Sequence, residues 1–385
     1  MDFTFTEEQQ AAAEAAKAVF GGVAPDSVPS PALTPGAVAD DFDRTLWRKL
    51  ADADLLSLLI APEHGGAGLD PIALCLVLRE SAKVLARVPL LETSAAALTL
   101  QHHATSGLRA EVLPGIATGD LVITVAVGGR TGHDPAELAV AAHQEGTHWI
   151  LDGTQTTAPW AQTADRILLP AHTPDGHAVL ALVPRTHPGV TLDDQISTNG
   201  ERLAEVRLDS VRISAQEMIN TPAAWDTLRN ILTTGTCALA LGLGERVLAM
   251  TSDYTSKREQ FGFPVATFQA VAVQTADRYI DLRAMEATLW QAAWHITTDA
   301  AGPLPPAGDV AVAKIWASEG VRRVVQTAQH LHGGFGADTG YQLHRYHAWA
   351  KRLELSLRPA AAHEEALGDL LAAHPLGAEE PAPLS

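Results

Sequence analysis

The spacing of apolar residues divides the chain into three textures. Up to about residue 120 they recur at helical intervals, as with Leu46, Trp47 and Leu50 on one face. Helix starts are marked by side chains that can accept from free backbone N–H groups. Thr6, with Gln9 three residues on, has the form of a capping box ahead of an Ala-rich helix. Asp70-Pro71 supplies an N-cap followed by Pro at the first helical position. Just before it, "APEHGGAGLD" (61–70) reads as a glycine loop with no strand in front. From 121 the period shortens. "LVITVAV", "THWILDG", "DRILLPAH", "HAVLALVPR", "GVTLDD" and "LAEVRLDSVRI" are short β-branched and apolar runs separated by Gly, Pro and Asp. They predict a compact antiparallel β domain, barrel or sandwich, to about residue 215. From 224 the 3.6-residue period returns over 225–258, 266–299, 309–331 and 342–371, which predicts a four-helix bundle. "TTDAAGPLPPAGD" links its second and third helices. Gly235, Ala238 and Gly242 share a face of the first, so a neighbouring helix is expected to approach closely there. The expected organisation is mainly α with a middle β domain. It comprises helices over 1–120, the β domain over 121–215, the bundle over 224–372 and a disordered tail over 373–385.

Composition narrows the function more than the fold. A net charge of −18 over 385 residues argues against a nucleic-acid partner, because phosphate binding needs clustered Lys and Arg. Cys75 and Cys237 are far apart and form no CxxC pair, which suits buried thiols of a cytosolic protein. "MDFTFTEEQQ" has no apolar core of a leader, and no run reaches the roughly 18 apolar residues that span a bilayer. The expectation is a cytoplasmic protein with no membrane partner.

Common catalytic signatures are missing: there is no phosphate-binding GxxxxGK[ST], no GxSxG, and "GLGER" (242–246) falls inside a helix. His330, His332, His344, His347 and His363 lack the accompanying Cys or carboxylate pattern of a metal site, so no metal is expected. Two segments carry more information. In "YTSKREQFGFPVATFQAV" (254–271) a helix ends in Lys257, Arg258 and Gln260, breaks at Phe-Gly-Phe-Pro, and a new helix opens near Phe268-Gln269. Such a corner can hold a pyrophosphate through Arg and an aromatic group through Phe. Helix-end charge pairing with an aromatic plug would use the same residues. In "AQHLHGGFGADTGYQLHRY" (328–346) a helix ends on Gly333-Gly334, whose backbone can approach a phosphate or simply terminate the helix. One carboxylate, Glu354, sits alone among the leucines of "KRLELSLRPA" (351–360).

These segments, in this order, resemble the acyl-CoA dehydrogenase family over nearly the whole chain. "LWRKLADADLLSLLIAPEHGGAG" is similar to that family's Trp…Pro-Glu-x-x-Gly-Gly-x-Gly signature, and "EVRLDSVRIS" to its exit from the β domain. The resemblance implies FAD and α,β-dehydrogenation of an acyl-CoA, a Glu removing the α-proton while the flavin takes hydride. It places Arg258, Gln260, Phe261, Phe268 and Gln269 at positions that touch the adenosine-pyrophosphate part of FAD. His330, Leu331, Gly333 and Gly334 belong to the same set. In the family these corners serve the FAD of a neighbouring subunit.

The departures matter as much. The family's base follows the glycine loop, where Leu357 stands, or lies on the first bundle helix, where Leu232 stands. Leucine takes no proton. The Trp-Ile-Thr stretch beside the flavin ring is replaced by "TAPW" (157–160), and Thr-Glu-Pro-x-x-Gly-Ser-Asp by "TVAVGGRTGHDP" (124–135). His330 replaces the usual Gln. This split resembles the non-catalytic β subunit of actinobacterial α2β2 acyl-CoA dehydrogenases acting on steroid side-chain CoA thioesters, as does "HRYHAWAKRLELSL". The resemblance implies a homologous catalytic partner, an acyl-CoA substrate and an electron-transfer flavoprotein as acceptor. Two alternatives stand beside it. One is a homomeric enzyme with Glu354 as a relocated base, one turn or about 5 Å from position 357; pairing with Lys351 or Arg358 would give Glu354 an ordinary surface role. The other is a flavin-free scaffold.

Overall fold

A computed structural model describes residues 4–28, 34–39, 41–131, 137–298 and 302–375. Helix α1 (Glu7–Phe20) starts on a closed capping box. Gln9 N donates to Thr6 Oγ1 at 3.2 Å, and Thr6 N donates to Gln9 Oε1 at 2.9 Å. Helix α2 (Arg44–Asp52) buries Leu46, Trp47 and Leu50. Helix α3 (Pro71–Lys83) is capped by Asp70, whose Oδ1 accepts from Ala73 N at 3.1 Å. Helices α4 (Leu90–His103) and α5 (Ser106–Ala117) follow.

Strands β1 (Ile123–Val125), β2 (Val140–Glu145), β3 (His148–Pro159) and β4 (Arg166–His172) begin the sheet. Strands β5 (Ala178–Pro184), β6 (Val190–Ile196), β7 (Arg202–Ser214) and β8 (Met218–Ile219) complete it. Its order is β6-β7-β3-β2-β4-β5-β8, with β1 beside β4. The sheet is mixed where the sequence predicted antiparallel pairing. β1 runs parallel to β4, Ile123 opposite Arg166, and β2 meets β4 in parallel at Ala141 and His172. Side chains alternate with period two in either orientation, so texture alone does not separate them. The β2–β3 excursion between β1 and β4 gives the chain the length a parallel return needs.

Helices α6 (Pro222–Lys257), α7 (Gln269–Thr298) and α8 (Pro306–His332) form the first three members of the bundle. The fourth expected helix is two, α9 (Leu343–Leu355) and α10 (Ala360–Ala373). The apolar period runs through the break, but Pro359 cannot donate a helical hydrogen bond and restricts the residue before it. Leu357 and Arg358 take φ of 55° and 80° there. The expected tail beyond residue 375 lies outside the described residues.

One hydrophobic cluster runs through both helical regions, while the interior of the sheet forms a second, around Leu151, Val206 and Val211. The join is the glycine face of α6. A Cβ on Gly242 would stand 2.0 Å from Arg79 O of α3, and one on Gly235 2.3 Å from Leu91 Cδ1 of α4. The sequence showed no membrane-length apolar run, yet α6 is long and apolar enough to cross a bilayer; 78% of that window is buried within the fold. A buried tie joins all three regions. Arg345 of α9 pairs with Asp26 and donates to Asn199 O at 2.7 Å. Trp349 Nε1 donates to the same Asp26 carboxylate at 2.8 Å.

Candidate functional site

Where the three regions meet, they enclose a cavity of about 730 Å³. Helix α6 contributes Leu232, α4 contributes Glu92, the end of β3 contributes Thr157 and Pro159, and the exit of α9 contributes Leu357. The two positions where the resemblance expects a base thus share one wall, and both are leucine. Leu232 is 3% exposed.

The turn that carries Leu357 is held from behind by two side-chain nitrogens. Lys314 Nζ donates to Leu353 O at 3.0 Å, Glu354 O at 3.1 Å and Ser318 Oγ at 2.7 Å, which satisfies carbonyls at the end of α9. Burial pushes Lys314 down to about 8. His363 Nε2 donates to Leu357 O at 2.8 Å, and burial pushes this imidazole down to about 4. Glu354 is absent from the cavity wall although Leu353 and Leu355 are part of it; its carboxylate meets Lys351 Nζ at 2.6 Å.

A carboxyl that the sequence reading passed over does line the cavity. Glu92 has its pKa raised by burial, against the opposing pull of Arg352 and a hydrogen bond with Trp160. The signal was present: Glu92 is the only acid in "LLETSAAALTL" (90–100), as Glu354 is in its own apolar stretch. The "TAPW" segment is held by Gln195 of β6, whose Oε1 accepts from Thr157 N at 2.9 Å and whose Nε2 donates to Thr156 Oγ1 at 2.6 Å. Part of the neighbouring "TVAVGGRTGHDP" lies outside the described residues.

The second set of expected site residues is elsewhere, and none of it lines the cavity. After Arg258 caps α6, β9 (Glu259–Gln260) and β10 (Phe263–Pro264) form a two-residue hairpin. Phe261 and Gly262 at its tip have φ of 53° and 81°, as a type I′ turn requires. That turn throws Phe261 outward to 91% exposure, edge-to-face with Phe268 at 6.4 Å. Gln269 opens α7 at the surface.

Gly333 ends α8 with φ 60° and ψ −142°, a conformation that suits glycine. A Cβ on either Gly333 or Gly334 would meet nothing within 4 Å. His330 is exposed and Leu331 half-buried. His332, not singled out as a contact residue, anchors this corner. Its Nδ1 lies 2.8 Å from Ala328 O, which can only accept, so Nδ1 carries the proton. Nε2 then accepts from Tyr341 Oη at 3.2 Å. Burial lowers the His332 pKa, in keeping with this neutral form. Tyr254, one turn before Arg258, stacks on His332 at 4.3 Å and on Phe335 at 5.5 Å, which brings the two corners together.

Comparison with known proteins agrees in family and in extent. Residues 6–120 match the model of the acyl-CoA dehydrogenase N-terminal domain, and 230–356 that of its C-terminal domain. The acyl-CoA dehydrogenase FadE27 of Mycobacterium tuberculosis is 34% identical, over 97% of this chain and 100% of its own. A chain of the Tcur3481–Tcur3483 steroid ACAD, solved as a variant, superimposes with a TM-score of 0.86. It is 36% identical over 95% of this chain and 98% of its own. A chain of the ChsE4–ChsE5 complex from Mycobacterium tuberculosis superimposes with a TM-score of 0.87, at 34% identity, over 97% of this chain and 100% of its own.

Proposed function

The chain belongs to the acyl-CoA dehydrogenase family of FAD-dependent oxidoreductases, and we propose that within it this chain is the non-catalytic member of a heteromeric enzyme. The observation that carries the reading is the shared wall: Leu232 and Leu357 face one cavity, so no carboxylate stands at either family base position. A general base must lie within hydrogen-bond reach of the proton it removes. Glu354, paired with Lys351 and off the cavity wall, is on this reading a helix ion-pair residue.

The exposed corner supports a donor role. Arg258 and Gln260 present a guanidinium and an amide, Phe261 and Phe268 present rings, and Gly333-Gly334 present open backbone. That chemistry fits the adenosine-pyrophosphate part of a dinucleotide. Because these residues do not line this chain's cavity, the FAD they fit is one seated mainly in a homologous catalytic partner. When bound there, FAD supplies the hydride acceptor for α,β-dehydrogenation of a CoA thioester, and the partner supplies the base. Exposed Val273 and Ile280, seven residues apart on α7, give an apolar strip suited to such a partner. The arrangement is an α2β2 assembly with a steroid side-chain thioester as substrate and an electron-transfer flavoprotein as acceptor. The likeness to a chain of the ChsE4–ChsE5 complex and to one named as a steroid ACAD supports that choice.

The test is to purify the chain alone and together with a homologue that carries the base, then measure FAD content and acyl-CoA-dependent dye reduction. Flavin and turnover should appear only in the complex. Stoichiometric FAD with full activity from this chain alone would overturn the proposal.

A further inference from the structure

The cavity has no task in a chain that lends only its surface, yet it has not been filled. Its volume of about 730 Å³ is that of a small-molecule site. Leu78, Leu90, Leu91, Leu232, Leu239 and Leu357 give it an apolar wall. Thr157, Trp160 and Leu357 all line it with φ between 55° and 58°, and Arg358 adjoins it at 80°. Positive φ is a true outlier for β-branched Thr157. Such strain costs ~1–3 kcal/mol per residue and gathers where ligands are clamped.

Apolar side chains as well as cations reach the surface at this wall. Ile196 and Leu355, 48% and 47% exposed, both belong to the cavity wall. Its cations are largely engaged: Lys351 meets Glu354 at 2.6 Å and Arg130 meets Glu137 at 3.1 Å. That leaves little to recognise the phosphates of a nucleotide. Arg352 differs: it lines the cavity together with Glu92, whose pKa burial raises against the pull of Arg352. A guanidinium at an apolar wall can hold a carboxylate through charge-assisted hydrogen bonds.

We infer that the cavity is a flavin-independent binding site for a free hydrocarbon carboxylic acid. An acyl chain or fused-ring body lies against the leucines, and its carboxylate sits at Arg352. The inference rests on the loss of the base: a ligand there meets leucine at both base positions and is held without being oxidised. A CoA thioester could offer the same acyl body, but the paired cations at the opening favour the free acid.

The full-length chain is titrated with the fluorescent fatty acid cis-parinaric acid, then competed with palmitate, cholate, hexadecanol, palmitoyl-CoA and FAD. One saturable site is expected, from which palmitate or cholate displaces the probe at least about tenfold more tightly than palmitoyl-CoA. FAD should not compete. Leu239→Trp, which fills the cavity from a helical position, should weaken binding by about tenfold or more with an unchanged thermal midpoint. Arg352→Gln should bring palmitate down to the affinity of hexadecanol. Absence of a saturable site, competition by FAD, palmitoyl-CoA binding as tightly as palmitate, or wild-type binding by either folded variant would overturn the inference. Flavin reduction by the isolated chain given FAD and palmitoyl-CoA is measured in parallel. Reduction there refutes the loss of the base, whatever the titration shows.

Discussion

In the cavity, side chains find their partners inside the chain; at the corner made by 258–269 and 330–336, His332 and Phe335 do so while Phe261 and Gly333-Gly334 stay open to the surface. Leu232 is buried, and the Leu357 turn is held by His363 and backed by Lys314 on the preceding carbonyls. These contacts stabilise this chain whether or not anything binds. Phe261 stands 91% exposed on a strained hairpin tip, and Gly333-Gly334 face open space. Nothing in the chain's own stability accounts for those features. The contrast sets a closed interior, stabilised by its own contacts, against an open surface corner.

The largest test of that contrast places a carboxylate on the cavity wall. Leu232→Glu should lower the free energy of unfolding by about 3 kcal/mol or more, because an acid there is buried without a partner. Urea unfolding measures it. A wild-type midpoint would mean the cavity solvates charge, and the distinction between the two regions would fail.

A second test concerns the turn behind Leu357. His363 has a folded pKa of about 4 against about 6.5 in an unfolded chain. Below pH 6.5 the unfolded chain takes up a proton that the folded chain refuses until about pH 4. Stability should therefore fall through this window as pH drops, by ~3 kcal/mol at its lower end. His363→Gln should remove that component from the pH profile of the unfolding free energy. Parallel profiles for the two proteins would show that the imidazole is not held neutral on the Leu357 carbonyl.

The smallest expected effect on this chain is at the corner. Phe261→Ala should change its unfolding free energy by no more than about 0.5 kcal/mol. The same substitution should cut the FAD retained by a complex with the catalytic partner by at least about tenfold. A large loss of stability with unchanged flavin content would reverse the roles of the two regions.

Local features were legible because they depend on residues close in the chain. Thr6 with Gln9 and Asp70 with Pro71 cap helices where their spacing says they should. The Phe261-Gly262 tip and the Gly333 helix end were marked by their own residue types. The division of the last helix was missed because its apolar period continues across Ser356–Pro359, although the proline was in plain view. The parallel β1–β4 pair was missed because strand texture carries no direction.

By itself, the sequence determined the order of helix, strand and helix, the caps, and leucine at positions 232 and 357. Each is a matter of residue type and short-range periodicity. Only the tertiary structure decided that Leu232 and Leu357, far apart in the chain, face one cavity, that Glu92 lies on its wall, and that Glu354 does not. It also decided that both helical regions share a core through the glycines of α6. The physical reason is that a side chain's environment is set by the elements packed against it, and those contacts come from segments that no local pattern connects.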